Sequence, residues 1–154
     1  MSFLENPQIF ADGDFKFIKN PKEGYPVGCC RDIKVYFVHY KSNEEAKGKW
    51  VERFKWIIWD DIYVIATGHG GLETPELMER FNNLPYKNKI MFTSHAWPEY
   101  PWAIQVKVLH EMEHMPPLSE FATFSGKRYY ETCFDLVEWI IKYEKVHKNE
   151  DVKL

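Results

Sequence analysis

Asp32-Ile33-Lys34-Val35-Tyr36-Phe37-Val38-His39-Tyr40, Ile62-Tyr63-Val64-Ile65-Ala66-Thr67 and Ile90-Met91-Phe92-Thr93-Ser94 decide how this chain is read. All three runs are rich in β-branched and aromatic residues, the composition of strands. The middle run is almost continuously apolar, as in a strand covered on both faces. Between the first two lies Ser42-Asn43-Glu44-Glu45. Ser followed three residues later by Glu is capping-box spacing, so a helix is expected to start there. Ala46, Trp50, Phe54, Ile57 and Ile58 then recur at the spacing of one helix face. Between the second and third runs, Thr74 is placed to cap a helix and Pro75 to occupy its first turn. Leu77, Met78 and Phe81 supply that helix's apolar face. Strand, helix, strand, helix, strand at short connections predicts an α/β protein. The expected architecture is three-layer, with a mainly parallel sheet and helices packed on it around a Rossmann-like βαβαβ core.

Outward from this core the pattern weakens. Residues 1–30 read as an irregular lead-in with turn chemistry at Asp12-Gly13-Asp14 and Pro21–Pro26, and with Phe15-Lys16-Phe17-Ile18 as a short strand. Ala103 to His114 fits a helix, with strand as the alternative for Ala103 to Leu109, and Pro116-Pro117 stops it. Tyr130, Cys133, Phe134, Val137, Ile140 and Ile141 form an apolar stripe that predicts a last helix. A charged tail, 145–154, follows it. The whole, 1–154, reads as a single α/β domain.

Composition narrows the function classes. The chain has 154 residues, 45% hydrophobic and 28% charged, with a net charge of −3. That balance suits a folded domain and lacks the basic stripe of a nucleic-acid surface. No run approaches the roughly 18 apolar residues of a membrane span. Three cysteines, two of them adjacent as Cys29-Cys30, make no disulfide framework and fit a reducing cytoplasm. Aromatic residues reach 17%, with six Trp. Trp56, Ile57, Ile58 and Trp59 crowd one helix end with more apolar surface than one face buries, which predicts a homo-oligomer.

Four groups of residues could carry chemistry. If the three strands are parallel, their carboxyl ends bring His39 with Tyr40, His69, and His95 to one sheet edge, where ligands of open parallel sheets gather. Imidazole there serves as general acid or base. Ser125-Gly126-Lys127-Arg128, just ahead of the expected last helix, combines helix-start N–H groups with two cations and suits a phosphate. The bland readings are helix caps in solvent for the first group and a solvated basic turn for the second. Thr67-Gly68-His69-Gly70-Gly71 reads as a flexible strand-to-helix turn, because Glu73 and Glu76 would repel an anion. His110-Glu111-Met112-Glu113-His114 matches H-E-x-x-H, which on a helix grips zinc. Pro116 ends that helix at once and no further ligand stands at the expected spacing, so neither metal nor cofactor is expected.

Several blocks together carry a family resemblance. They are Tyr25-Pro26-Val27-Gly28, Asp32-Ile33, Phe37-x-His39-Tyr40, Glu45-Ala46-x-x-Lys49-Trp50, Leu84-Pro85-Tyr86-Lys87-Asn88-Lys89 with Phe92-Thr93, and Phe124-Ser125-Gly126-Lys127-Arg128. Over about residues 25–130 the chain resembles the bacterial family of domain of unknown function 1919, whose members carry the label exopolysaccharide biosynthesis protein. The resemblance implies an α/β fold and a role in making surface polysaccharide. Members carry a substantial segment before the Tyr-Pro-Val-Gly block, whereas 24 residues precede it here. The chain is therefore expected to match the family's C-terminal part. The resulting expectation is group transfer on a nucleotide-sugar or sugar-phosphate ligand, with His39 or His69 as base and Lys127 and Arg128 on the phosphate. The alternative is a non-catalytic, truncated or engineered α/β scaffold with an incomplete site.

Overall fold

A computed structural model describes residues 2–19, 22–69, 73–107, 115, 117–120 and 126–142. They divide into two compact units, Met1–Ile62 with Asn83–Tyr86, and Tyr63–Asn82 with Lys87–Leu154.

The first unit is built on an antiparallel sheet. A short helix α1 (Ser2–Glu5) and a 3-10 turn (Pro7–Phe10) precede β1 (Lys16–Phe17), β2 (Val27–Cys30) and β3 (Ile33–Tyr36). The sheet order is β1-β2-β3. Cys30 faces Ile33 in the ladder, so Arg31 and Asp32 alone make the hairpin turn. Arg31 takes φ 53°, the left-handed conformation that such two-residue hairpins require. Helix α2 (Asn43–Phe54) starts where the capping pattern predicts. The Glu45 N–H donates to Ser42 Oγ at 3.1 Å, and the Glu45 carboxylate accepts from Lys41 N at 3.0 Å.

Aromatic packing holds this unit together. Phe10, Phe15, Phe37 and Phe54 are buried in one cluster with Phe3, Phe17 and Trp50 packed against it. Phe15 meets the Trp50 ring edge-on at 5.0 Å. Trp50 Nε1 donates to Phe10 O at 2.7 Å, which satisfies the indole's one polar atom. Residues 1–30, irregular by pattern, thus supply the centre of the core. Their elements are only two to four residues long, and of these the strand at Phe15-Lys16-Phe17-Ile18 alone registers in the sequence, as β1. Ile57 and Trp59 pack on the same cluster, while Trp56 and Ile58 stay 67% and 69% exposed. Tyr86 donates its hydroxyl to Leu4 O at 2.8 Å, and burial pushes its phenol above the ordinary 10.0.

The second unit holds a parallel sheet of β4 (Tyr63–Thr67), β5 (Asn88–Thr93) and β6 (Ala103–Gln105), in that order. Helix α3 (Pro75–Asn82) connects β4 to β5. Thr74 caps it through Leu77 N to Oγ1, 3.3 Å. β5 is the central strand and five of its six residues are buried. Ile90 and Phe92 lie in a cluster with Val106, Met115 and Tyr130. Phe81 of α3 packs on Trp102 at 4.7 Å.

Three sequence readings need correction. The parallel sheet lacks the 32–39 run. That run forms β3, which ends at Tyr36 and pairs antiparallel with β2 because the tight Arg31-Asp32 turn folds it straight back. Its place in a three-stranded parallel sheet is taken by β6, the strand alternative for the segment after Ala103. The apolar stripe from Tyr130 is not one helix. A 3-10 turn (Tyr130–Thr132) ends at Cys133, and a new helix, α4, runs from 136 to at least 142. Asp135 restarts it by accepting the Glu138 N–H at 2.8 Å. The restart shifts the helical phase. Phe134, Leu136 and Trp139 reach the core, whereas Val137 and Ile141 are 66% and 44% exposed.

Candidate functional site

The carboxyl edge of the parallel sheet is where this unit concentrates polar side chains. β4 ends at Thr67 and continues as Gly68-His69, and β5 ends at Thr93 and continues as Ser94-His95. The ladder extends past both ends. Gly68 N donates to Phe92 O, and Val106 N to Thr93 O, each at 2.9 Å. Two further bonds brace the turn after β5. Thr93 Oγ1 donates to His95 O at 2.9 Å, and Gln105 Nε2 to Ser94 O at 3.2 Å.

Glu73 closes the arrangement. It lies immediately before the Thr74 cap, so the start of α3 fixes its backbone. Its Oε1 accepts from Ser94 N at 2.7 Å and from Ser94 Oγ at 2.8 Å. Its Oε2 accepts from His95 N at 3.1 Å and stands 3.4 Å from His95 Nδ1. Ser94 Oγ is 3.0 Å from the same ring nitrogen. The Glu73 side chain is only 7% exposed and that of His95 is 58% exposed. A buried carboxylate, saturated with donors, therefore anchors the inner nitrogen of an accessible imidazole. Bonds to a charged group contribute about 1.5–3 kcal/mol each, which offsets the desolvation that burying the carboxylate costs.

Gly68 makes room for this carboxylate. A Cβ there would collide with Glu73 Cγ and Oε1, and with Cδ at 2.6 Å. The glycine after β4, read from sequence as turn flexibility, is needed for a close side-chain approach. On the next strand end over, His69 Nδ1 bonds Met115 O at 2.6 Å.

The sequence-predicted residues divide as follows. His69 and His95 share one sheet edge. His39 and Tyr40 belong to the other unit, in the turn after β3 closed by Tyr40 N to Phe37 O at 3.0 Å. The three-imidazole edge required β3 in the parallel sheet, and the hairpin with β2 removes it. His39 is exposed, and the Tyr40 ring packs on Phe37 and under Arg53. Gly126, Lys127 and Arg128 are exposed, and Gly126 takes φ +78°. A 3-10 turn follows them in place of the expected long helix. The Arg128 N–H is already bound by the Glu131 carboxylate at 2.6 Å. Ser125 and the His110–His114 motif lie outside the described residues. Among the described residues no three His, Cys, Asp or Glu side chains gather to hold a metal ion, and no helix is long and apolar enough to cross a membrane.

Glu73 and Ser94 are the residues that sequence reasoning missed as a pair. The available signal was position. An acid between a strand-end glycine and a helix cap stands at the carboxyl edge, within reach of the next strand's end.

The family described as Domain of unknown function (DUF1919) matches residues 1–141. The chain belongs to this family. The DUF1919 match takes in the lead-in as well as the blocks from Tyr25 onward, so it is not confined to a C-terminal part. An uncharacterized protein of Haemophilus influenzae is 31% identical over 139 residues, 90% of this chain. The DUF1919 chain spans 66% of that relative's length.

Proposed function

We propose that this protein catalyses group transfer on a phosphorylated or nucleotide-activated sugar, as a cytoplasmic and oligomeric participant in exopolysaccharide biosynthesis. The observation that carries this reading is the Glu73–His95 pair at the carboxyl edge of β5. A histidine whose inner nitrogen meets a carboxylate and whose other nitrogen is accessible is equipped as a general base. Such a group contributes typically 10²–10⁴-fold to a transfer reaction. His95 is the base, Glu73 and Ser94 hold it, and His69 is the second imidazole of the edge. Gly126, Lys127 and Arg128, with Ser125, are the proposed phosphate contacts. His39 and Tyr40 are the competing base position, without, among the described residues, a carboxylate hydrogen bond comparable to that of His95.

The test is a panel of nucleotide sugars and sugar phosphates, scored for release of nucleotide or phosphate. His95→Asn should lower turnover at least 100-fold and His39→Asn should leave it within twofold. Equal loss in both variants, or loss with His39→Asn alone, overturns the assignment. A second reading, a non-catalytic domain whose site is incomplete, is favoured by the Glu131 carboxylate on Arg128 N, since an internal anion already holds that N–H. Calorimetric binding of a nucleotide sugar with no product formed would select it.

A further inference from the structure

The edge that holds His69 and His95 has a definite hydrogen-bonding polarity. Among the described residues, four main-chain donors of this edge are spent within the protein. Gly68 N serves Phe92 O, and His69 N serves Thr67 Oγ1 at 3.4 Å. Ser94 N and His95 N both serve Glu73. An anion arriving here finds these four N–H groups already taken and the Glu73 carboxylate beside two of them.

The two imidazoles are oriented the opposite way, as acceptors. A backbone carbonyl can only accept, so the 2.6 Å contact to Met115 O requires the proton of His69 on Nδ1. A neutral imidazole carries one N–H, which leaves Nε2 as a lone pair. His95 reaches the same state by another route. The Ser94 hydroxyl proton is committed to Glu73 Oε1 at 2.8 Å, so Ser94 Oγ receives at its 3.0 Å contact with Nδ1. Glu73 Oε2 at 3.4 Å adds an acceptor beside the same nitrogen and repels a ring lone pair there. When neutral, both rings therefore carry Nδ1–H and present Nε2 lone pairs.

We propose that this edge is a hydrogen-bond acceptor surface whose ligand is an uncharged sugar, bound through its hydroxyl groups to His69 Nε2 and His95 Nε2. The inference rests on the reading of this edge as the reacting site, and it assigns the edge to the acceptor substrate. A sugar hydroxyl donates to His95 Nε2. As its oxygen bonds to the transferred group, its proton passes to that nitrogen. The bond from the transferred group to the leaving phosphate breaks, and the phosphate keeps the electron pair.

The experiment is ¹⁵N NMR of the full chain with the imidazoles neutral, reading the tautomer of each ring from its two-bond ¹⁵N–¹H correlations. Both rings should show a protonated Nδ1 and a bare Nε2. A protonated Nε2 on either neutral ring overturns the proposal. Glu73→Ala frees the Ser94 hydroxyl proton to be donated to His95 Nδ1 and should move that ring's proton to Nε2, while His69 keeps its pattern as the control for folding. Addition of a methyl glycoside should shift both Nε2 signals and inorganic phosphate should leave them in place. Phosphate-induced shifts, or silence towards the glycoside, overturn the ligand class. The tautomers are read without turnover. A chain that shows them and binds the glycoside, yet transfers nothing, fails the proposed function alone.

Discussion

Substituting Gly68 by Ala should reveal how tightly Glu73 is seated. Gly68 is buried, and the three nearest atoms to an added Cβ all belong to Glu73. The carboxylate cannot swing aside without surrendering its bonds to Ser94 N, Ser94 Oγ and His95 N. Losing one or two of these, at about 1.5–3 kcal/mol each for a charged acceptor, sets the expected destabilisation at about 2–4 kcal/mol. No left-handed φ is involved at Gly68, so the penalty comes from the collision alone. In a Glu73→Ala background the colliding atoms are gone. There Gly68→Ala should cost almost nothing, or stabilise by about 0.4–1 kcal/mol through lost chain entropy in the unfolded state. Urea denaturation of the wild type, both single variants and the double variant closes the cycle. A coupling of at least about 2 kcal/mol is expected, well beyond the roughly 0.5 kcal/mol within which independent sites add. Additivity within that margin would refute the close approach of residues 68 and 73.

Three further outcomes follow from the fold. Ser42→Ala should cost about 1 kcal/mol through loss of the α2 cap, measured by thermal unfolding. Val137→Ser should change stability by less than about 0.5 kcal/mol and Phe134→Ala, at a half-buried ring, should cost about 1.5–3 kcal/mol; the reverse order in denaturant titrations would restore one continuous helix from Tyr130. For Tyr86, the folded state holds the phenol proton more tightly than the unfolded chain does. Its stabilising contribution is therefore complete below pH 10 and declines as pH rises from there through the raised folded value. The difference in stability between wild type and Tyr86→Phe should shrink over that alkaline range, and a constant difference would contradict the burial of the phenol.

Local signals in the sequence located the starts of α2 and α3 and the run of β5, because caps act over a few residues, whereas apolar spacing through Ile57 and Ile58 overran the end of α2 at Phe54. Ser42 with Glu45, and Thr74 with Pro75, each end in a hydrogen bond of the expected kind or a tolerated missing donor. Strand pairing was less legible. Whether Ile33–Tyr36 joins a parallel or an antiparallel sheet depends on β2, whose Val-Gly-Cys-Cys sequence has no period. It depends also on Arg31 adopting a conformation that composition does not announce. The break between Cys133 and Asp135 was hidden for a related reason. An apolar stripe continues through it on paper, and only the competing Asp135 cap shows where the helix restarts. At the candidate site, His69 and His95 were legible as strand-end residues. Glu73 was read by its charge as an obstacle to anions. That charge is instead satisfied internally, by donors that come from a segment 21 residues away.

The most direct test of the account is where a sugar ligand touches the chain. Amide and imidazole chemical shifts should be mapped during titration with a nucleotide sugar and with a simple glycoside. The account predicts that the largest glycoside-induced changes centre on Gly68, His69, Ser94 and His95. Changes centred on the His39-Tyr40 turn, with the β4 and β5 ends unmoved, would contradict it.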